Sequence, residues 1–197
     1  GVHPLLLAVG KERYMPFRDQ RPEEILTIAD HLLGKGQTSL AKFLIIAAQD
    51  DYANLDAAHI PEFFKHVLER VRWERDLHFQ TQTTMDTLDY SGHGWNAGSK
   101  VVIAIRGDKR RTLGTNVPER FPGLDHVRDV RVALPGILCL GFAPYIDPEQ
   151  TRRQLEVLAA ALPPSLVDQF PVIILVDDAS FTSANLENFL WVTFTRS

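Results

Sequence analysis

Four acids stand directly after apolar runs. Asp50-Asp51 follow Phe43-Leu44-Ile45-Ile46-Ala47-Ala48, and Asp177-Asp178 follow Val172-Ile173-Ile174-Leu175-Val176. Carboxyl ends of parallel strands are where α/β folds put ligand and metal contacts, which makes these acids the first places to look for such chemistry. The competing duty is capping the next helix, and with no third ligand type nearby that structural reading is favoured. The seven histidines are His3, His31, His59, His66, His78, His93 and His126. No two share the i, i+4 spacing of a helical metal pair, and the single cysteine adds no thiolate ligand, so a zinc site is not expected. His3, beside Pro4 at the start of an apolar run, is the one histidine placed to turn a ring nitrogen toward a cavity, although a satisfied core or edge histidine has the same spacing.

Other chemistries are missing their signatures. Gly34-Lys35-Gly36 lies between a helix and a strand, the reverse of the order that sets phosphates on a helix N-terminus. Gly92-His93-Gly94 and Gly98-Ser99-Lys100 fall between strands and read as loop turns. The chain has neither a P-loop nor the Gly-x-Ser-x-Gly elbow of serine hydrolases. Cys139 sits inside an apolar run and is expected to be buried and inert. The neighbouring charges Glu12-Arg13, Glu69-Arg70 and Glu74-Arg75 read as solvated pairs of little energetic worth.

The elements that must carry these residues follow from periodicity. Val2 to Val9 is short enough for a buried strand, and Pro22-Glu23-Glu24 opens a helix on which Ile25, Ile28, Ala29, Leu32 and Leu33 share one face. Gly34 is the expected left-handed stop of that helix. Phe43 to Ala48 reads as a strand buried on both faces, and Pro61 to Arg72 as a helix with Phe63, Phe64, Val67, Leu68 and Val71 on one stripe. Strands are expected at Leu77 to Gln82, Val101 to Ile105, Val127 to Ala133, Ile137 to Phe142 and Val172 to Val176. Arg106 to Asp125 reads as a long surface connection. Asp147-Pro148-Glu149 starts a helix with Leu155, Leu158, Ala159 and Leu162 on one face, and Ser183 to Phe194 reads as another. The fold class is therefore α/β, a layered fold with a largely parallel or mixed sheet flanked by helices. The strand, Asp-Asp, helix unit occurs twice, which fits either a duplication or the ordinary grammar of parallel α/β folds.

A length of 197 residues with 45% hydrophobic residues suffices for a real core, and 21 Lys+Arg against 25 Asp+Glu leave a formal charge of −4 with none of the basic excess that nucleic-acid binding relies on. The first residues have no basic n-region and only a short apolar run, so neither a signal peptide nor a membrane span is expected there, and one cysteine fits a reducing, intracellular and cytoplasmic setting. Gly1 at one end and Phe194-Thr195-Arg196-Ser197 at the other read as cut ends of a longer polypeptide, with possible sub-units 1–115 and 116–197.

Several spaced motifs resemble one family. Val176-Asp177-Asp178, Glu187, Leu190-Trp191 and Thr195-Arg196 are similar to a strand, acids and E-x-x-L-W-x-x-x-T-R helix in the C-terminal region of UbiD-type decarboxylases. Lys42 to Ile46 with Asp50-Asp51, Thr84-Met85-Asp86-Thr87-Leu88-Asp89 and Gly98-Ser99-Lys100 resemble the same region, and His3-Pro4 with Glu12-Arg13-Tyr14 resembles the segment that leaves the central domain. The resemblance implies the C-terminal domain of a reversible, non-oxidative carboxy-lyase acting on an aromatic or unsaturated acid, such as a polyprenyl-4-hydroxybenzoate in ubiquinone- or menaquinone-type biosynthesis. It implies prenylated FMN with a divalent metal (Mn or Mg) and potassium in the full-length enzyme, all held by an upstream flavin-binding domain, and none of them in this chain.

It further implies a piece that closes the pocket and makes homo-oligomer contacts. Decarboxylation develops carbanionic charge that a cofactor must hold, and a closing domain that excludes water would protect it. His3 is the one substrate-pocket candidate this resemblance supplies, with no catalytic, cofactor or metal residue in the chain. Two other classes stay open: a stand-alone α/β nucleotide- or small-ligand-binding module with a pocket near Asp50 or Asp177, and a purely structural oligomerisation domain with an apolar surface near residues 183–196.

Overall fold

A computed structural model describes residues 4–12, 19–86, 89 and 94–195, which fall into two compact units: residues 1–110 with 194–197, and residues 111–193. The first unit runs β1 (Leu5–Gly10), α1 (Glu24–Leu33), β2 (Phe43–Ala48), α2 (Ile60–Leu68), α3 (Trp73–Asp76), β3 (Leu77–Thr84) and β4 (Ala97–Ile105). Its sheet has the order β1-β2-β4-β3, with β1, β2 and β4 parallel and β3 antiparallel to β4. Strand alternation sends Leu6, Ala8, Leu44, Ile46, Ala48, Val102 and Ala104 to one face, where Ile25, Ala29 and Leu33 of α1 cover them. On β2, Phe43 meets Phe194 edge to face at 5.2 Å, and Phe64 of α2 lies 6.1 Å from the same ring.

The second unit runs β5 (Val127–Leu134), β6 (Ile137–Phe142), α4 (Pro148–Ala161), α5 (Pro164–Gln169), β7 (Val172–Val176), α6 (Ala179–Ser183) and α7 (Leu186–Thr195), the last residues of α7 being grouped with the first unit. Its sheet has the order β5-β6-β7, with β6 antiparallel to β5 and parallel to β7. Leu138, Leu140 and Phe142 of β6 pack with Leu158, Leu166 and Phe170. Both sheets are thus mixed and flanked by helices, the layered α/β class expected from the sequence.

Several local expectations need correction. Gly34 ends α1 at φ −91°, donating to the Asp30 carbonyl, and the left-handed glycine is Gly36 at φ 61°, because the chain completes the helical bond before it turns. Gly98-Ser99-Lys100 is not a loop turn but the start of β4. A Cβ at Gly98 would stand 1.9 Å from the Met85 sulfur, so glycine here admits a side chain against the strand backbone. β7 is partly buried along its whole length because it is a sheet edge, and only β6 is buried throughout.

The α4 stripe narrows to Leu158 with partly packed Leu162, leaving Leu155 and Ala159 exposed. The helix expected over 61–72 stops at Leu68, with α3 following only at Trp73–Asp76, and the one over 183–194 is α7, which starts at Leu186 after α6 has ended at Ser183. The long connection 106–125 has no regular structure but is tied down. Gly107 and Arg110 donate to Asp51 and to the Glu69 carbonyl, while Gly114 donates to the Gln169 carbonyl and Leu113 is buried.

Candidate functional site

The three parallel strands of the first unit end at Gly10, Ala48 and Ile105, which sets Glu12, Asp50-Asp51 and Arg106-Gly107 along one edge. Asp50 and Asp51 do not cap α2. Asp50 accepts the Glu12 N–H at 3.0 Å and Asp51 the Gly107 N–H at 2.8 Å, so each carboxylate ties the end of β2 to a neighbouring segment. Burial pushes the Asp51 carboxyl up, while the Gly107 N–H, Arg70 and Arg106 pull it back and Asp50 adds to the rise. Asp178 behaves as the capping reading expects, accepting the Phe181 N–H at 2.8 Å at the head of α6, and Asp177 is exposed.

Two of the supposedly solvated acids are buried, which overturns that reading of them. Glu12, 5% exposed, accepts the N–H groups of Glu23 (2.8 Å), Glu24 (3.0 Å) and Ile25 (3.2 Å) and lies 3.6 Å from the Arg106 guanidinium. A carboxylate from a distant loop therefore satisfies the orphan donors of α1 and meets the positive end of its dipole. Glu69 holds Lys109 at 2.8 Å and Arg70 at 3.4 Å. Spacing along the chain conceals the role of Glu12 and the contact of Glu69 with Lys109, because those partners come from elsewhere in the sequence.

Beyond the end of β2 a cavity of about 440 Å³ opens, lined by Tyr52, Asn54, Leu55 and Asp56, by α2 and its flanks, and by Lys109. α2 explains the division of labour. Phe63, Phe64, Val67 and Leu68 form its apolar stripe, whereas His59, Glu62, His66 and Glu69 recur at helical spacing and face the cavity with Arg70. The Tyr52 and His66 rings stand 6.3 Å apart at 31°. His66 is buried, and that burial, reinforced by Arg70 and Lys109 and opposed by Glu69, lowers its pKa to about 4. A search for i, i+4 histidine pairs passes over these residues; the i, i+7 spacing of His59 and His66 is the signal that would have found them.

The remaining sequence candidates are scattered. His3 and His93 lie outside the described residues, as do Arg13, Tyr14, Thr87, Leu88 and Arg196. Lys100 is buried on β4 with its amine donating to the Ser39 carbonyl, and burial lowers its pKa; Lys42 sits 3.6 Å from Asp89. Cys139 is fully buried and its thiol is pushed up to about 12.

Among the described residues no three or more His, Cys, Asp or Glu side chains are placed so that together they could hold a metal ion. A flavin phosphate does not fit the carboxyl edge of the first sheet either, since the turn after β2 is Gln49-Asp50-Asp51, with two acids and no glycine where phosphate needs N–H donors. Among the described residues no helix is long and apolar enough to cross a membrane.

The family model described as the 3-octaprenyl-4-hydroxybenzoate carboxy-lyase C-terminal domain, UbiD_C, matches residues 1–105. The chain belongs to the UbiD C-terminal domain family. The UbiD_C stretch ends on the last residue of β4 and so lies within the first unit, along with the cavity residues up to Arg70.

The chain is 37% identical over 199 residues to an uncharacterized protein of Chlamydia trachomatis, covering all of this chain and 30% of that protein. It is 34% identical over 198 residues to a Chlamydia pneumoniae protein named as a subunit of 4-hydroxybenzoate decarboxylase, again over all of this chain and 30% of the relative. It therefore spans about a third of the length of these relatives. A Sedimentibacter hydroxybenzoicus vanillic acid decarboxylase in closed form aligns with TM-score 0.41 and 16% identity, over 77% of this chain and 25% of its own.

Proposed function

We propose that this chain is the C-terminal part of a longer UbiD-type carboxy-lyase that reversibly decarboxylates an aromatic or unsaturated acid, with a polyprenyl-4-hydroxybenzoate of quinone biosynthesis as the substrate class. The observation that carries the reading is the UbiD_C match over residues 1–105, and the decarboxylase name of the 34% identical relative supports it. Prenylated FMN, its divalent metal and potassium belong in this reading to an upstream flavin-binding domain of the same polypeptide, in the cytoplasm.

The chain itself serves pocket closure and homo-oligomer contacts. Exposed Trp191 and Phe181 on the second unit support a contact role, since large apolar side chains left at a surface mark interaction faces. His3 is proposed to face the substrate pocket.

The test compares the full-length polypeptide with this 197-residue fragment for flavin binding and for CO₂ release from 4-hydroxybenzoate and its 3-prenylated derivatives. Full-length activity with an inert fragment is the expected result, and tight flavin binding or turnover by the fragment would sink the proposal. A free-standing nucleotide module is the rival reading, supported by the cavity beyond β2 but opposed by Asp50 and Asp51 at the strand edge. A nucleotide-induced thermal shift of the fragment would favour that rival.

A further inference from the structure

Each unit contains the same crossover but flanks it differently. A helical connection joins β1 to parallel β2 in the first unit and β6 to parallel β7 in the second. The registers correspond residue for residue. Leu5 stands beside Phe43 as Ile137 does beside Val172, and the N–H groups of Phe43 and Val172 donate to the carbonyls of Pro4 and Gly136 at 2.9 and 3.3 Å. Leu6, Ala8, Leu44 and Ile46 pack with α1 at the positions that Leu138, Leu140, Ile173 and Leu175 hold in the core of the second unit.

In the second unit β5 lies along the outer side of β6 and leads into it through the turn Pro135-Gly136. In the first, no strand among the described residues lies along the outer side of β1. The Pro4 carbonyl faces β2, so ladder alternation turns the N–H and C=O groups of Leu5, Leu7 and Val9 to the open side. Sheet edges are ordinarily guarded against pairing by charged and polar side chains. β5 carries Arg128, Asp129 and Arg131 and β3 carries His78, Gln80 and Gln82, whereas β1, Leu5-Leu6-Leu7-Ala8-Val9-Gly10, carries none. β7 is equally bare, and there too the other unit has a neighbour in place, β4 beside β2. Beside the end of β1 a cavity of about 850 Å³ is lined by Val9, Gly10 and Ile28 among others. In the second unit Val127 and Val130 of β5, opposite Phe142 and Leu140, pack into the core from that side.

We propose that the outer edge of β1 is completed by an antiparallel strand from the stretch of the full-length polypeptide just before Gly1, so that the chain arriving from the upstream domain is built into the sheet of the first unit. That strand becomes the new sheet edge and is expected to carry charged residues, as β5 does. The proposal rests on the reading of this chain as part of a longer polypeptide. Its readouts do not involve decarboxylation, so the failure of one is distinct from the failure of the other.

Residue-resolved amide hydrogen exchange is measured on the full-length polypeptide at two concentrations. The amides of Leu5, Leu7 and Val9 are expected to be protected equally at both, and replacing the stretch before Gly1 by a Gly-Ser linker of equal length is expected to speed their exchange about tenfold or more while Ile45 and Ile46 of β2 keep their protection. Ala8→Cys, combined with a cysteine at the upstream position that stands to it as Val130 does to Leu140, is expected to form an intrachain disulfide on mild oxidation, and Ala8→Cys alone to form none. Should the linker variant also lose the protection of Ile45 and Ile46, the crosslink decides. Fast exchange of the three amides in the unaltered polypeptide, protection that survives the linker, or no intrachain crosslink would overturn the proposal. So would protection that falls on dilution, which would put a second copy of the chain on this edge.

Discussion

His66 offers the sharpest quantitative test of how the first unit is held. It is only 6% exposed, on the cavity side of α2, and burial followed by the nearby Arg70 and Lys109 favours its neutral form, with Glu69 opposing them; its pKa is lowered to about 4 from an ordinary 6.5. In the unfolded chain the imidazole takes up a proton near pH 6.5, whereas in the fold it does so only near pH 4. Above pH 6.5 both states are neutral and the stability is fully present. As pH falls from 6.5 toward 4 the unfolded state gains a proton that the native state does not, and stability is lost at up to about 1.4 kcal/mol per pH unit. Over the whole window the loss is about 3 kcal/mol, and below pH 4 this residue adds nothing more.

The perturbation is His66→Gln, which keeps a polar side chain but cannot titrate. Hydrogen exchange of the β2 and α2 amides, measured at several pH values and corrected for intrinsic exchange, reports opening of the first unit without averaging over the second. The wild type is expected to lose about 3 kcal/mol more than the variant between pH 7 and pH 4, because the carboxylates common to both cancel in the comparison. An imidazole NMR titration that placed His66 near 6.5, or parallel pH profiles for the two proteins, would refute the reasoning.

Other consequences follow from the same packing. Glu12→Ala leaves three N–H groups of the α1 entry and the Arg106 guanidinium without their carboxylate, and is expected to destabilise the first unit by about 2–4 kcal/mol, measured by urea denaturation; Glu12→Gln should recover part of this. At Gly114 a Cβ would stand 2.2 Å from Cζ of the buried Phe170 ring, so Gly114→Ala should lower the stability of the second unit by about 1–3 kcal/mol, whereas Gly123→Ala, where nothing lies within 4 Å, should leave thermal unfolding unchanged. Cys139, buried in β6 with its thiol pushed up to about 12, should resist a thiol reagent at pH 8 in the native protein and react fully once denatured.

Much of the architecture is written in local pattern. The apolar runs 43–48 and 137–142 became strands because their neighbours on both faces are apolar, and the 3.6-residue stripes of α1 and α2 marked the faces that are buried. Caps that act within one turn were legible too: Asp147 accepts the Gln150 N–H at 2.8 Å, and Asp178 does the same for Phe181. The family resemblance rested on the same kind of short, ordered spacing.

The parts that local pattern could not reach all depend on partners far apart in sequence. Glu12 reads as half of a solvated pair until the β1 exit brings it onto the N-terminus of α1, and Asp51 reads as a helix cap until Gly107, 56 residues away, donates to it. Gly98 looks like a turn residue until the Met85 side chain is seen against its backbone. The cavity itself is an outcome of tertiary structure, because His59, His66 and Glu69 become a wall only when Tyr52, Leu55 and Lys109 are folded opposite them. Periodicity determines which face of an element is buried. What a buried charge is paired with, and whether a polar face meets water or encloses a site, depends on segments brought together only by the closed fold.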